Sequence, residues 1–276
     1  MALRARTRGI PASGSRIASL ARYTTAEVAL LIAVLAASAL LSATAPAAGL
    51  GRVELAPAPM PKPTVFTADL AGSHLVLVGA AKDRLHITVL PPGGQPTPEQ
   101  TSTFAGAEPD GINFDLQPRP CGPGCFDIAH HWINGITHLA VTVTNPDADG
   151  GTAELAISWP PGPDATALLA DAVATTRAAG DITVTETISS GPNAALGPDD
   201  LSTTGDDYIS ASPFSNGADD IHQLPPEDGL TVISFIVTGA GTWHQLWIDD
   251  LHRVARETLV DPGHRIDRQI TYVGGS

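Results

Sequence analysis

The chain has 276 residues, of which 16% are charged and 5% aromatic, and Gly and Pro together number 51. That is too much Gly and Pro for a helical bundle and too little for a low-complexity disordered chain. A formal net charge of −14 excludes a general nucleic-acid binder, and two cysteines exclude a disulfide-dense scaffold and a cysteine-based zinc cluster.

The charge is unevenly spread. Residues 1–52 carry six arginines and one acid, Glu27, whereas the other 224 residues carry nine basic and 28 acidic side chains, a net of −19. Between this basic head and the acidic body runs Val28 to Ala45, which has no charge and nothing more polar than Ser38, Ser42 and Thr44. Eighteen helical residues span about 27 Å, close to the hydrocarbon thickness of a bilayer. Pro46 ends the run, and the arginines before it mark the cytoplasmic side. The expected order is a cytoplasmic head at 1–24, a transmembrane helix at 25–46 and a Pro/Ala-rich tether at 47–63. The rest lies outside the cytoplasm. A cleaved signal peptide is the alternative, since Ala43-Thr44-Ala45 has the small-x-small form, although Pro46 would follow the cut.

Seven short β-branched or alternating runs follow: 64–70, 74–78, 85–90, 112–116, 126–131, 138–144 and 153–159. Gly, Pro and Asp clusters separate them, so residues 64–160 read as an immunoglobulin-like β-sandwich. Trp159-Pro-Pro-Gly-Pro163 breaks the pattern and marks a boundary. Residues 164–276 read as a small α+β domain. Asp164 caps a helix over 165–179 and Gly180 stops it. Strands are expected at 182–188, 208–211, 230–237, 243–248, 254–260 and 266–273, the last four as an antiparallel meander turning at Asp249-Asp250 and at Asp261-Pro262-Gly263. Residues 190–205 read as a loop. The fold class is mainly β, with one helix on a curved antiparallel sheet.

The head and apolar run resemble the end of a polytopic bacterial protein of the CopD family of copper-resistance and copper-uptake membrane proteins. The similar residues are Leu20-Ala-Arg22, Glu27 through Leu35 (an E-x-A-x-x-x-x-V-L pattern), Ala39-Leu-Leu41 and Pro46. The sandwich resembles the extracytoplasmic domain of YcnJ-like members through Cys121-Gly-Pro-Gly-Cys125-Phe126, Trp132-x-x-Gly135, Leu139-x-Val141-x-Val143 and Gly151-x-Ala153 through Trp159-Pro160-Pro161. The stretch Gly241–Tyr272 is similar in pattern to half-barrel lipoprotein carriers of the LolA/LppX type. The resemblance implies copper as the metal and a polytopic membrane copper transporter as the partner. The multi-helix CopD bundle is absent, and Ala80-Ala81-Lys82-Asp83 stands where the family has a Pro- and Asn-rich start.

Several side chains are candidates for chemistry. Cys121 and Cys125 flank a Gly-Pro-Gly turn and are expected to form a disulfide, worth only about 2 kcal/mol for so small a loop. The rival is a redox or copper(I) thiol pair. Asp127, His130, His131 and His138 form the best metal-like cluster, with ordinary strand or surface histidines as the alternative. Adjacent strand residues His130 and His131 point to opposite faces, so only one can join His138. His244, His252 and His264 with Asp249 and Asp250 form a second group near the last turns. Trp243 and Trp247 share one face of a strand and either line an apolar cavity between sheet and helix or fill a core. No phosphate loop, nucleophile elbow or H-E-x-x-H motif occurs. The expected function is therefore that of a membrane-anchored extracytoplasmic accessory or binding protein linked to copper, not a catalyst. The alternatives are a tethered carrier of a lipid or hydrophobic ligand, and a fragment of a larger polytopic copper-transport protein.

Overall fold

Short apolar runs punctuated by turn residues pair into three antiparallel sheets. The structure, a computed structural model, describes residues 60–92, 100–114, 116–146, 149–191 and 195–273. The basic head, the expected transmembrane helix and residues 47–59 of the expected tether lie outside the described residues. Among the described residues no helix is long and apolar enough to cross a membrane.

The first sheet has the order β1 (Val65–Ala71), β2 (His74–Ala81), β3 (Arg84–Leu90), β7 (Cys125–Ala129), β6 (Arg119–Gly122). The second has β5 (Asn113–Phe114), β4 (Thr101–Ala107), β8 (Gly135–Thr144), β9 (Gly151–Trp159). These two face each other as a β-sandwich across a core that includes Val76, Val78, Leu85, Ile87, Leu139, Val141 and Ile157. The third sheet has β11 (Ala195–Thr204), β10 (Asp181–Ser189), β16 (His264–Tyr272), β15 (Val254–Asp261), β14 (Thr242–Ile248), β13 (Leu230–Val237), β12 (Asp219–Glu227). Helices α1 (Thr166–Ala178) and α2 (Gly205–Ala211) cover one of its faces over Ile233, Phe235, Leu246 and Ile248.

The other face of the third sheet packs on the sandwich. Phe66, Leu75, Leu77 and Leu90 of the first sheet meet Ile236, Trp243 and Val260. All eight residues of β2 are buried, because its odd and even side chains enter two different cores. Trp243 donates its Nε1–H to the Phe66 carbonyl at 2.9 Å, and Arg265 reaches Asp69 at 3.0 Å. The breaker cluster between the two halves is pinned too. Gln223 N–H donates to the Pro163 carbonyl, Ala165 N–H to that of Ile221, and a Cβ at Gly162 would lie 1.9 Å from the Gln223 oxygen. The described residues accordingly fall in a single compact unit. At the β1–β2 turn Gly72 has φ +67°, and a Cβ there would sit 2.2 Å from the Asp149 carbonyl oxygen, so this turn needs glycine twice over.

Most expected strands form, with small shifts at their ends, and the last four are the expected meander. Three expectations are corrected. Residues 208–211 belong to α2, not to a strand: Thr204 Oγ1 accepts the Asp207 N–H at 3.1 Å and caps the helix. That Thr-x-x-Asp spacing is a sequence signal for a helix start. Residues 190–205 are not all loop, since β11 pairs along β10; eight of its ten side chains are exposed, so no alternation marks it. Strands β4, β6 and β12 are also additions; β6 and β12 are sheet edges, with all four residues of β6 and four of the nine in β12 exposed. The sandwich thus has nine strands among the described residues, and the sheet beyond it carries two helices rather than one.

Trp243→Ala removes a buried indole from the junction and leaves the Phe66 carbonyl unpaired. The expected loss is about 3–5 kcal/mol, read as a lower urea midpoint. A separate, earlier transition of one half would show that this junction couples the two.

Candidate functional site

The candidate metal residues do not converge. Asp127 lies on the outer face of the first sheet, paired with His86 Nδ1 at 2.9 Å. His138 lies on β8 between the inward-facing Thr137 and Leu139, so it projects from the opposite outer face of the sandwich. His130 follows the end of β7 and turns inward, its ring 4.7 Å from Phe114 and 4.4 Å from Trp132. Burial holds its imidazole below the ordinary histidine range, and the Glu108 charge only partly opposes this. His131 is exposed. The expected cluster is therefore corrected: strands of opposed sheets cannot bring outward-facing side chains together. Nor do His244, His252 and His264 meet. The first is buried beneath the helices, the second bonds Asp171 of α1, and the third bonds Asp261 in its own turn.

Cys121 and Cys125 are disulfide-bonded across the β6–β7 turn, with Cα atoms 5.1 Å apart. Among the described residues they and His86 are the one set of three metal-type donors whose ligand atoms lie within 4.8 Å of one another.

Trp243 and Trp247 do not line a cavity under the helices. Their face of β14 is the one turned away from the helices, where Trp243 fills the junction with the sandwich and Trp247 donates to Glu227 at 3.0 Å. The helix-facing positions are His244, Leu246 and Ile248.

That helix-facing side holds a polar row the sequence did not announce. Arg268 of β16 donates to Glu186 of β10 at 2.6 Å and to Glu257 of β15 at 2.9 Å. Glu257 also pairs with His244 Nδ1 at 3.0 Å and accepts the Tyr208 hydroxyl at 2.8 Å. His244 Nε2 meets Thr242 Oγ1 at 2.8 Å. Burial alone would push the Glu257 carboxyl up. His244 and then Arg268 overcome this and hold it at about 2. Burial works against the Arg268 charge, but Glu257 and Glu186 outweigh it and raise its pKa. Burial, with the Glu257 charge beside it, drives the Tyr208 phenol well above its ordinary value. A row with every member bonded can stay charged in a core; a half-paired one could not.

Beside this row opens a cavity of about 450 Å³ between the β10–β11 hairpin and α2. Val184, Leu201, Tyr208 and Ala211 give it apolar walls. Its charged lining is four carboxylates (Glu186, Asp199, Asp200, Asp207) to one guanidinium, Arg268. Leu201 is 61% exposed, an apolar side chain that this groove leaves uncovered. The geometry can hold a small apolar body with a positive end. Gly205 lets α2 approach this closely, since a Cβ there would lie 2.0 Å from the Thr176 carbonyl oxygen of α1.

No protein-family model matches the chain, and no curated protein matches it. Of this row the sequence marks His244, in the group near the last turns. The usable signal was the alternation itself: Glu257 and Arg268 fall at positions of β15 and β16 that face a core.

Glu257 has a folded-state pKa of about 2, below its ordinary 4.5. Its contribution to stability, about 3 kcal/mol, is complete above pH 4.5 and is lost as the pH falls through 2. Urea midpoints between pH 2 and 7 should show this slope. Glu257→Gln should flatten it and cost about 3–5 kcal/mol at pH 7, because Arg268 and His244 lose their buried partner.

Proposed function

We propose that this chain is a membrane-anchored extracytoplasmic binding module that takes a small amphipathic cation between β10, β11 and α2. The anchor and the side of the membrane rest on the arginine-rich head and the apolar run at 28–45. The binding role is supported above all by the 450 Å³ cavity, whose apolar walls end in an excess of carboxylate. Arg268 is already engaged by Glu186 and Glu257, so it leaves no strong positive charge for an anionic headgroup. Asp199 and the exposed Asp207 remain at the opening. An alkylamine or arylamine satisfies both halves of this site: apolar burial supplies affinity, and the carboxylates supply sign selectivity. The immunoglobulin-like sandwich then serves as a rigid support, packed against the sheet that forms the cavity floor. This is a carrier or sensing role rather than a catalytic one.

The test is native mass spectrometry of the full chain with dansylcadaverine, an aromatic amine probe, beside the anionic anilinonaphthalene sulfonate. One saturable amine adduct is expected, and none with the sulfonate. Ala211→Trp, at an exposed position on the groove wall, should abolish the adduct. Equal binding of both probes, or an adduct indifferent to Ala211→Trp, would defeat the reading.

A further inference from the structure

The β6–β7 hairpin carries an arrangement that a merely structural crosslink does not need. The hairpin is already held by backbone pairing of Arg119 with Asp127 and of Gly122 with Cys125, and its disulfide closes a loop of only four residues' separation. The two sulfurs differ in access. Cys121 is exposed on edge strand β6, whereas Cys125 is half-buried and faces His86 Nε2, 3.9 Å from its sulfur. His86 is 4% exposed and its other nitrogen, Nδ1, lies 2.9 Å from Asp127 Oδ1. A carboxylate only accepts, so Nδ1 carries the hydrogen, and in the neutral ring Nε2 presents its lone pair toward Cys125. Arg84 lies 4.0 Å from the same carboxylate, and Arg119 stands opposite Asp127 in the β6–β7 register.

We infer that Cys121 and Cys125 form a thiol–disulfide exchange site, in which Cys121 meets the partner thiol, Cys125 is the resolving sulfur, His86 moves its proton and Asp127 positions His86. The co-reactant is the dithiol of a partner protein. Its thiolate attacks Cys121 Sγ, and the Cys121–Cys125 bond breaks with its electron pair leaving on Cys125. That sulfur is protonated from the imidazolium of His86, which has taken up a proton from water. The partner's second thiolate then attacks the partner's first sulfur in the mixed disulfide and releases Cys121 as a thiolate, which takes a proton from water. The partner dithiol loses two electrons and becomes a disulfide; Cys121 and Cys125 gain two electrons and two protons. In the reverse direction neutral His86 Nε2 withdraws the Cys125 proton and generates the attacking thiolate. The chemistry is independent of the amine cavity, which lies on the third sheet.

The experiment follows reduction of the disulfide in the full chain by dithiothreitol, read by thiol-specific mass tagging. His86→Gln should slow reduction roughly tenfold to a hundredfold, with the melting temperature of the oxidised protein tracked alongside. Because His86 is buried, Asp127→Asn at a partly exposed position is the second variant, and it should slow reduction in the same direction. In Cys125→Ser, the mixed disulfide with glutathione should map to Cys121. Rates within twofold of wild type in both variants would overturn the proposal. So would a reduced protein that holds one equivalent of zinc on these residues and no longer exchanges, since that would make the trio a metal site.

Discussion

The architecture depends on two strands of the first sheet, β1 and β2, being buried on both faces. Strand β2 reads HLVLVGAA, and its alternate residues enter the sandwich core and the junction with the third sheet. A strand in this position cannot shift register by one residue without exchanging the contents of two cores. Its neighbour β1 has the same duty, with Val65 and Ala71 turned one way and Phe66 and Ala68 the other. Each large aliphatic side chain buried here contributes about 1.5–3 kcal/mol. The indole of Trp243 adds direction, because its Nε1–H must find the Phe66 carbonyl. The layers run from the second sheet through the first and the third to the helices, and each hydrophobic face but the last has a sheet to cover it.

The third sheet then has to bury charge on its remaining side. Helices α1 and α2 seal Leu246, Ile248 and Phe235, and the same cover encloses Glu257. An isolated carboxylate at that depth would neutralise. It stays ionised because two strands and α2 each supply a partner: Arg268 of β16, His244 of β14 and Tyr208 of α2. This fixes α2 over the sheet at one point and leaves the strip between α2 and β11 open. The cavity lies where the polar row ends: beyond Glu186 the β10–β11 hairpin continues, and Leu201 on it stays 61% exposed.

What could be read from the sequence follows from what alternation can encode. Strands that face one core, such as β8 with Leu139, Val141 and Val143, are visible from their period. The turn acid at Asp164 is visible from chemistry, but the structure moves the cap one residue on: Ala165 is the N-cap, without a side-chain cap bond, and Asp164 instead accepts the Thr166 N–H at 3.0 Å in an Asx turn. Edge strands such as β11, held by backbone bonds with their side chains in solvent, carry no such pattern. Helix α2 was hidden because Tyr208 and Ile209 suit a strand as well as a helix, and only Thr204 and Asp207 break the tie. The site was harder still. His130, His131 and His138 are close in sequence, but the chain crosses from the first sheet to the second between them. His86 and Cys125 are 39 residues apart and meet only because β3 pairs with β7.

The outer face of the first sheet ties these features together. Over β1 and β2 it is apolar, with Phe66, Leu75 and Leu77, and the third sheet covers it. At the β3–β7 pairing the same face carries His86 and Asp127 instead. A buried imidazole next to apolar neighbours is stable only with a fixed partner, and Asp127 supplies it at 2.9 Å. Once one ring nitrogen is committed, the other has a defined direction, and the β3–β7 register aims it at Cys125. The His–Cys contact is therefore specified by strand pairing rather than by a flexible loop. That is the condition under which a sulfur and an imidazole can act as a reacting pair.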